Sequence, residues 1–531
     1  MPSSLPRGTP ADQRVDPAAI LSFLDAVDER PDIEMHSLMV VRHGRVVAEG
    51  WWAPYSAERP QLLYSLSKSF TSTAAAFAQA EGLLDLDDTV ISHFAEFAAD
   101  ITDPRSRSVR VRHVAAMAAG HTREMLAEAI LRDPDEPVRG FLLIPPDRDP
   151  GTVFAYSQPC TYALASIIQR NAGMPLTRYL RPRLFDPLGI GHVGWHTFPP
   201  GREQGFSGLH ARTEDIAKLG LLYLQRGRWE GAQVIPGAWV AEATSKQIGN
   251  PAEPNPDWRQ GYGYQFWMSR HGYRGDGAFG QFCVILPEQD TVIATTAYTL
   301  DMQAVLDALW DRLLPGLGTI APGAEAAHDQ LGARLAGLEL PACALPAPSG
   351  APAPADWGPW TSGPFTIAAS TAGTQVQPFL TSIELAPQAG GWEISLIEPA
   401  NALTVPVGTG AWSVSDHADR NGETIPVAAS GGWLDGHTLR AEIIFLETPH
   451  RMDITCSLPG RSAEAVWRHP PLTPSKLQHL HCPGLARPSG LGRTPPGTLP
   501  GTASRLPGFF AGLRTVNNAA GGTALAEIAS S

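Results

Sequence analysis

The chain has 531 residues, 43% of them hydrophobic and 18% charged, with a formal net charge of −13. This length predicts two or three domains of an ordinary globular protein, and the acidic balance argues against nucleic acid or an anionic membrane as the main partner. No apolar run reaches the roughly 18 residues that a membrane helix needs, and the first arginines lead into no apolar segment of the kind found in signal peptides.

The cysteines are odd in number and contain no C-x-x-C pair, which favours free thiols over a disulfide framework or a zinc site. They are Cys160, Cys283, Cys343, Cys456 and Cys482. From this usage we expect a cytoplasmic protein that carries no metal and no cofactor.

The N-terminal part of the chain predicts an arm, a hairpin and a helix, in that order. Residues 1–15 have no hydrophobic periodicity and are expected to form a loose, flexible arm. The segment HSLMVVRHGRVVAEGWW (36–52) predicts two strands joined at His43-Gly44. From Ser65 to about Glu81 the composition turns to alanine, phenylalanine and glutamine before a glycine, which predicts a helix.

The middle of the chain predicts a second helix and then a sheet. CTYALASIIQRNAG (160–173) is again a helix closed by glycine, and residues 262–298 give three β-rich runs. DMQAVLDALWDRLL (301–314) has apolar residues at helical spacing. Strands at both ends with helices between them predict an α/β class, an antiparallel sheet carrying helices, in one domain over residues 16–318.

The C-terminal part of the chain has a different texture. Residues 319–357 combine a helix with a Pro/Ala-rich linker, and residues 358–470 alternate apolar and polar positions as a small all-β domain does. Residues 483–531 are rich in Gly, Pro, Ser, Ala and Thr and are predicted to be disordered. Two roles of the all-β domain remain open, a lid over a cleft and a contact in a homo-oligomer.

Ser65 and Lys68 stand three residues apart at the start of the first predicted helix, in the sequence SLSK. Lysine is rare here, with four lysines among 40 basic residues, so its presence next to a serine is informative. This offset places both side chains on one helix face, where a neutral lysine amine accepts the serine proton and an arginine cannot. The same four letters also occur by chance, and Ser65 is then a helix cap and Lys68 a surface charge.

Further segments accompany this pair. Tyr156, in FAYSQPC, precedes the second helix, where a tyrosine can relay protons between nucleophile and leaving group. YRGDGAFGQF (273–282) is a glycine-rich strand entry, at which backbone can approach a substrate closely. With MAAGHT (117–122) and GLHARTEDIAKLGLLYLQRGRWEG (208–231) in the same order, residues 16–315 resemble the serine β-lactamase-like family. That family includes class C β-lactamases, D-alanyl-D-alanine peptidases, esterases and 6-aminohexanoate-dimer hydrolases.

The resemblance implies both a fold and an active site. The fold is an antiparallel sheet with flanking helices and an all-helical subdomain. Ser65 matches the acylated nucleophile, Lys68 its base partner, and Tyr156 the tyrosine of the Y-x-N motif, which shares the proton relay. Gln158 stands where the family has an asparagine that contacts substrate amides.

The third motif of the family, K-T-G or H-x-G, is absent from the chain. The matching place falls on Tyr273-Arg274-Gly275, so Arg274 is expected to supply the cation that attracts a substrate carboxylate. The backbone N–H of Gly275 or Arg274, with that of Ser65, is expected to form the oxyanion hole. Asp276 is interpreted in two ways, as a residue that orients Arg274 and as an ordinary turn aspartate.

Three other features carry less weight. G-x-G-x-x-G at 189–194 follows a predicted helix rather than a strand, which argues against a dinucleotide site. Three histidines and a cysteine lie close together in a proline-rich stretch; they are His469, His479, His481 and Cys482. Because such a stretch gives ligands no fixed geometry, the group is more typical of a polar linker than of a metal site. Four tryptophans are consistent with a substrate cleft but more often pack in a core; they are Trp51, Trp52, Trp258 and Trp267.

The sequence therefore predicts a serine hydrolase that cleaves a small-molecule ester or amide through an acyl-enzyme. Without K-T-G, ester or small-amide hydrolysis is favoured over efficient β-lactam turnover. The alternative is a penicillin-recognising binding protein that is acylated and does not turn over.

Overall fold

The computed structural model describes residues 4–320, 324–345, 356–367, 377–388 and 391–484. The described residues divide into two compact units. The first, called the α/β unit, contains the described residues up to 50 and from 62 to 336. The second, called the β unit, contains residues 51–61 and the described residues from 337 to 482.

The helices of the described residues are α1 (Pro17–Asp28), α2 (Ser67–Ala80), α3 (Pro104–Ser108), α4 (Val111–Ala115), α5 (Leu126–Arg132), α6 (Pro137–Leu142), α7 (Gln158–Ala172), α8 (Leu176–Leu180), α9 (Thr213–Leu224), α10 (Gly237–Ala243), α11 (Met302–Ala308), α12 (Ala324–Ala336) and α13 (Gly358–Thr361). Short 3-10 or π-helical turns are Ala11–Gln13, Tyr64–Leu66, Val90–Phe97, Arg181–Phe185, Trp258–Gln260, Pro287–Gln289, Leu309–Leu313, Leu314–Gly316 and Leu477–His479. None of the described helices has both the length and the apolar character needed to cross a membrane.

The strands of the α/β unit are β1 (Ile33–Arg42), β2 (Arg45–Trp51), β3 (Gln61–Leu62), β4 (Gly194–Trp195), β5 (Leu209–Ala211), β6 (Arg228–Trp229), β7 (Ala232–Gln233), β8 (Trp267–Met268), β9 (Tyr273–Gly277), β10 (Gln281–Leu286) and β11 (Thr291–Thr299), with Trp51 and Gln61 counted in the β unit. The strands of the β unit are β12 (Phe365–Ile367), β13 (Ser382–Gln388), β14 (Gly391–Glu398), β15 (Asn401–Val407), β16 (Ser413–Ala418), β17 (Thr424–Trp433), β18 (Thr438–Phe445), β19 (Arg451–Ser457) and β20 (Ser462–His469).

The main sheet of the α/β unit is antiparallel, and its described strands follow the order β2-β1-β11-β10-β9-β8. Every residue of β1 except Glu34 is buried, as expected of a strand with both faces covered. Helix α9 packs against β10 and β11, and α1 packs against β1. The predicted hairpin is confirmed, since His43 and Gly44 between β1 and β2 both have positive φ, at 49° and 72°.

Helices α2 and α7 pack against each other beside this sheet, and α4, α5 and α6 pack against α7. Both predicted glycine-terminated helices are confirmed: α7 ends at Gly173, with φ of 67°, and α2 ends just before Gly82, with φ of 71°. The predicted antiparallel sheet with flanking helices and a helical subdomain is therefore present.

The β unit is a curled sheet whose described strands follow the order β15-β14-β13-β12-β20-β19-β18-β17-β16. Burial alternates residue by residue along β14 and β15, which is the period-two pattern predicted from the sequence. The buried positions form one apolar core that contains Trp360, Trp392 and Trp433 together with leucine, isoleucine and valine side chains.

Residues 51–61 belong to the β unit although they lie early in the chain. Ala53 exchanges backbone hydrogen bonds with Leu338 and Leu340, at 3.0 and 2.7 Å. The Tyr55 hydroxyl donates to Thr448 O at 3.2 Å, and Arg59 pairs with Asp416 at 2.7 Å. The all-β domain expected at 358–470 therefore has a second chain segment that the sequence did not predict.

The N-terminal arm and the linker also differ from the expectations. Within the segment expected to be a loose arm, residues 6–8 pair with β2, since Gly8 N donates to Val46 O and Val46 N donates to Pro6 O, each at 2.9 Å. The helix expected within 319–357 is α12, at Ala324–Ala336, in the α/β unit. The Pro/Ala-rich stretch 346–355 and the tail from 485 onward lie outside the described residues.

Candidate active site

Ser65 lies in the 3-10 turn that leads into α2 and is partly exposed. Tyr64, directly before it, has φ of 48°, in the left-handed region that an aromatic residue rarely adopts. Ser67 Oγ donates to Tyr64 O at 2.6 Å, which holds this strained turn. The turn presents the serine at the N-terminal end of α2, where free backbone N–H groups favour negative charge.

Lys68 is buried, with 1% of its surface exposed, and its Nζ makes three hydrogen bonds. Nζ lies 2.9 Å from Ser65 Oγ, 2.6 Å from Gln158 Oε1 and 2.8 Å from Phe206 O. Burial lowers the pKa of Lys68 to about 7, and the carboxylates of Glu124 and Asp276 oppose that shift. A lysine with this pKa is partly neutral near pH 7 and is able to accept a proton.

Two of the three partners of Lys68 fix the direction of its lone pair. Gln158 Oε1 and Phe206 O accept hydrogen bonds and cannot donate them, so they take both N–H groups of a neutral amine. The remaining direction points to Ser65 Oγ, which is the one partner with a proton to give. Lys68 Nζ is thus placed where a neutral amine can accept the proton of Ser65 Oγ.

The other hydroxyl groups of α2 hold the loops around this pair. Ser67 Oγ accepts from Leu209 N at 3.0 Å, and Thr71 Oγ1 donates to Gly205 O at 2.8 Å, on either side of Phe206. Ser69 Oγ donates to Gln265 O at 3.1 Å. All of these α2 side chains are buried. The polar composition of α2 therefore positions the Phe206 carbonyl that Lys68 contacts.

Tyr156 lies beside Ser65 and Lys68, as predicted. Its hydroxyl forms a hydrogen bond with Ser65, and Lys68 Nζ is 4.7 Å from the centre of its ring. The ring stacks on Trp267, with centroids 5.2 Å apart and planes at 25°. Burial and the nearby Asp276 raise the pKa of Tyr156 above its usual range, so the phenol keeps its proton at neutral pH.

Strand β9 approaches Ser65 through glycines. A Cβ atom on Gly277 would lie 2.0 Å from Leu63 O and 3.1 Å from Leu66 N, and one on Gly275 would lie 2.5 Å from Leu66 Cδ1. Strand β8 pairs only with Tyr273 and Arg274, the first two residues of β9, so beyond Arg274 this side of β9 is an edge of the described sheet. The close approach to the Ser65 turn is made at Gly277, two residues beyond the place expected for the third motif.

Arg274 occupies a different place from the one expected. It has 0% of its surface exposed, and its guanidinium donates to Asp276 Oδ2 at 3.0 Å. It also donates to Met268 O at 3.2 Å, at the end of β8, and to Ser269 Oγ at 2.6 Å, directly after β8. It also lies 4.3 Å from the centre of the Trp258 ring. Arg274 is therefore buried rather than open to a substrate carboxylate, and Asp276 orients it.

Tyr273 is also buried, at 7% exposure, and packs edge-on against Phe266 at 6.1 Å. The structure therefore brings together Ser65, Lys68, Tyr156 and Gln158 and places β9 beside them. It does not bring the Tyr273 side chain to the nucleophile. Of the weighed tryptophans, Trp258 and Trp267 pack under Arg274 and Tyr156.

Glu124 and Phe206 are site residues that the sequence analysis missed. Glu124 Oε2 accepts from Gln158 N at 2.8 Å, and Glu124 Oε1 accepts from Leu126 N at 2.6 Å. Burial raises the pKa of Glu124 to about 7, against these hydrogen bonds and the charge of Lys68. Phe206 contacts Lys68 through its backbone carbonyl, and because every residue has one, the residue type does not indicate this contact. The neighbouring segment MAAGHT (117–122) contributes to the family resemblance, but a single glutamate two residues beyond it carries no motif.

No group of three or more His, Cys, Asp or Glu side chains in the described part of the chain is placed to hold a metal ion. The cluster near residues 469–482 therefore does not form a metal site within the described residues. The five cysteines all lie within the described residues, where they are buried and form no disulfide bond.

Comparison with known proteins gives a family match and several relatives. The family model described as Beta-lactamase matches residues 23–314. The 6-aminohexanoate-dimer hydrolase of Paenarthrobacter ureafaciens is 25% identical over 312 residues, which are 52% of this chain and 78% of that protein. The lovastatin esterase of Penicillium rubens is 25% identical over 194 residues, or 32% of this chain and 47% of the esterase. The octameric penicillin-binding protein homologue from Pyrococcus abyssi matches with a TM-score of 0.44 and 16% identity, covering 85% of this chain and 99% of its own.

Proposed function

We propose that this chain, which belongs to the beta-lactamase family, hydrolyses a small-molecule ester or amide through an acyl-enzyme on Ser65. The observation that carries the proposal is the 2.9 Å contact between Lys68 Nζ and Ser65 Oγ, made by an amine whose other two bonds go to pure acceptors. The names of two relatives, a dimer hydrolase acting on 6-aminohexanoate dimer and an esterase, support the ester or amide class.

In the first step Lys68 Nζ takes the proton from Ser65 Oγ, and the oxygen attacks the substrate carbonyl carbon. The negative charge that develops on the carbonyl oxygen is stabilised by backbone N–H groups of Ser65 and of β9 near Gly277. This assigns the oxyanion hole to Gly277 instead of Gly275 or Arg274, because β9 comes closest to the serine turn there.

The bond to the leaving group then breaks, and the leaving group needs a proton. Tyr156 donates it and recovers one from the Lys68 ammonium, since its hydroxyl bonds Ser65 and its ring lies beside Lys68. A water molecule repeats the attack on the acyl-enzyme, releases the acid and frees Ser65. The raised pKa of Tyr156 suits this role, because a protonated phenol is the form that donates.

The charges around the nucleophile favour neutral substrates. Arg274 is buried against Asp276 and Ser269, so the third motif offers no accessible cation to a substrate carboxylate. The Phe206 ring lies 5.9 Å from Lys68 Nζ instead, and it packs against an apolar cluster that contains Leu126 and Ile130. We therefore expect neutral esters to be better substrates than carboxylate-bearing β-lactams.

The test is steady-state turnover of p-nitrophenyl acetate by the wild-type protein and by Ser65→Ala. The proposal predicts continuous release of p-nitrophenol by the wild type and none above background by the variant. A single burst equal to the enzyme concentration, without later turnover, would instead favour an acylating binding protein. Unchanged turnover by Ser65→Ala would remove Ser65 as the nucleophile.

A further inference from the structure

The carboxylate of Glu124 joins two elements of the site. One oxygen accepts from Gln158 N at 2.8 Å, at the first residue of α7, and the other accepts from Leu126 N at 2.6 Å, at the first residue of α5. Both bonds use backbone donors, so they fix the position of the two helix starts whatever the side chains there are. Glu124 therefore acts as a clamp between α5 and α7.

Gln158 connects this clamp to the base. Its backbone N is held by Glu124, and its side-chain oxygen reaches Lys68 Nζ at 2.6 Å. Glutamine is one methylene longer than the asparagine that the family has at this position. Its amide oxygen therefore lies within hydrogen-bond distance of Lys68 Nζ only when the Gln158 backbone is held in the matching position. The bond from Glu124 supplies that placement.

Glu124 also acts on Lys68 through its charge. The titratable groups that face Lys68 from the packed elements are Glu124, Asp276 on β9 and Cys160 on α7, and Tyr156 lies against it. Asp276 shares its charge with Arg274 at 3.0 Å. Of the two carboxylates, Glu124 acts on the Lys68 ammonium more strongly than Asp276 does.

We propose that Glu124 is a positioning residue that holds Gln158 against Lys68 and, by its negative charge, sets the pH at which Lys68 becomes an effective base. This inference rests on the proposed function of Ser65 and Lys68, because it concerns how that pair is controlled. It assigns a role to a residue outside the three family motifs.

The sign of the effect follows from the charges. Lys68 is a base only when neutral, so the rate of Ser65 acylation should fall as pH drops through about 7, the pKa of Lys68. A carboxylate favours the ammonium form, and its removal lowers the pKa of Lys68 further. Burial raises the pKa of Glu124 to about 7 as well, so the two groups titrate together and the acid limb belongs to the pair. Above that pH the Glu124 carboxylate is ionised and favours the ammonium, so replacing it by an uncharged side chain should move the acid limb to lower pH.

The experiment is the rate of Ser65 labelling by a fluorophosphonate between about pH 5 and pH 9. Glu124→Gln is compared with the wild type and with Glu128→Gln, a control on the adjacent helix α5 whose carboxylate accepts from the exposed Arg123 and Arg132. We expect the acid limb of Glu124→Gln to move down by roughly one pH unit and its plateau to fall several-fold. Glu128→Gln should keep the wild-type profile.

The inference would be overturned if the acid limb of Glu124→Gln stayed within about 0.2 pH units of the wild-type limb while the rate fell equally at every pH. Loss of a purely structural residue lowers the rate without changing the pKa of Lys68. Glu124→Asp decides the case if Glu124→Gln does not fold. It keeps the charge and shortens the reach, so an unmoved limb with a lower plateau supports the role and a lowered limb contradicts it.

Labelling reports only the attack of Ser65 Oγ on the phosphorus of the probe, with loss of fluoride, and does not require turnover. A shifted labelling profile in a protein that releases no p-nitrophenol would support the role of Glu124 and refute hydrolysis. Ester turnover together with an unshifted labelling profile would support hydrolysis and refute the role of Glu124.

Discussion

In the α/β unit, helix α2 buries a lysine and a series of hydroxyl groups beside Ser65, whereas the β unit fills its interior with apolar side chains. The buried polar residues of α2 are Ser67, Lys68, Ser69, Thr71, Ser72 and Thr73. The core of the β unit contains three tryptophans packed around one another, with Trp433 lying 5.9 Å from Trp360 and 5.2 Å from Trp392 between ring centres.

Burial affects the free energy of folding differently in the two interiors. A buried apolar side chain stabilises its unit directly, by about 1.5–3 kcal/mol when fully buried. A buried lysine is costly because its ammonium loses water, and it is tolerated where its lowered pKa is useful. The comparison predicts that substitutions in α2 change chemistry and that substitutions in the β core change stability.

The largest effect on activity should come from Lys68. Lys68→Arg should lose several hundred-fold or more in kcat/KM on a neutral ester, about as much as Lys68→Ala, because a guanidinium keeps its proton. The measurement is kcat/KM for both variants on p-nitrophenyl acetate. Activity of the arginine variant within a few-fold of wild type would show that the charge, and not proton transfer, is what matters.

The next effect concerns the backbone approach of β9. Gly277→Ala should lower kcat/KM by about tenfold to a hundredfold, because its Cβ would meet Leu63 O at 2.0 Å and displace β9 from the serine turn. Gly332→Ala is the matched control, since a Cβ there meets nothing within 4 Å. Equal activity of the two variants would remove Gly277 from the proposed oxyanion hole.

A smaller and uniform effect is expected for Arg274. Arg274→Met leaves Asp276 buried without its cation, which should destabilise the α/β unit by roughly 3–5 kcal/mol. Any loss of kcat/KM should then be the same for a neutral ester and for one that carries a carboxylate. A loss at least tenfold greater on the acidic ester would restore the expectation that Arg274 binds substrate.

The smallest effect on activity should come from the core of the β unit. Trp433→Ala removes a side chain packed against Trp357, Trp360 and Trp392, and should cost about 3–5 kcal/mol of unfolding free energy in that unit. We expect kcat/KM below the melting transition to change by less than about threefold. The check is thermal unfolding measured together with ester turnover, and a large loss of activity at full folding would break the contrast between the units.

Much of the fold follows from local patterns in the sequence. The hairpin at His43-Gly44 and the glycine-terminated helices α2 and α7 depend on residues close in sequence, so they were predicted. The β-unit segment at 51–61 was not, because its partners lie several hundred residues away, as in the bond from Tyr55 to Thr448. The pairing of residues 6–8 with β2 was missed because it is a backbone contact with no periodic side-chain signal.

The site shows the same division. The three-residue offset of Ser65 and Lys68 is a local helix property, and the 2.9 Å contact follows from it. The orientation of Arg274 depends on Ser269, between β8 and β9, and on Trp258, in the 3-10 turn before β8. The role proposed for Glu124 depends on where α7 begins. Neither can be deduced from a motif, since both are set by packing between distant segments.

The central claim is that Ser65 carries the acyl group, and mass spectrometry tests it most directly. The wild-type protein is treated with a fluorophosphonate, digested, and searched for the modified peptide, with Ser65→Ala treated in parallel. The account predicts one adduct, on the peptide that contains Ser65 and Lys68, and no adduct in the variant. An adduct on another serine, or equal labelling of Ser65→Ala, would contradict it.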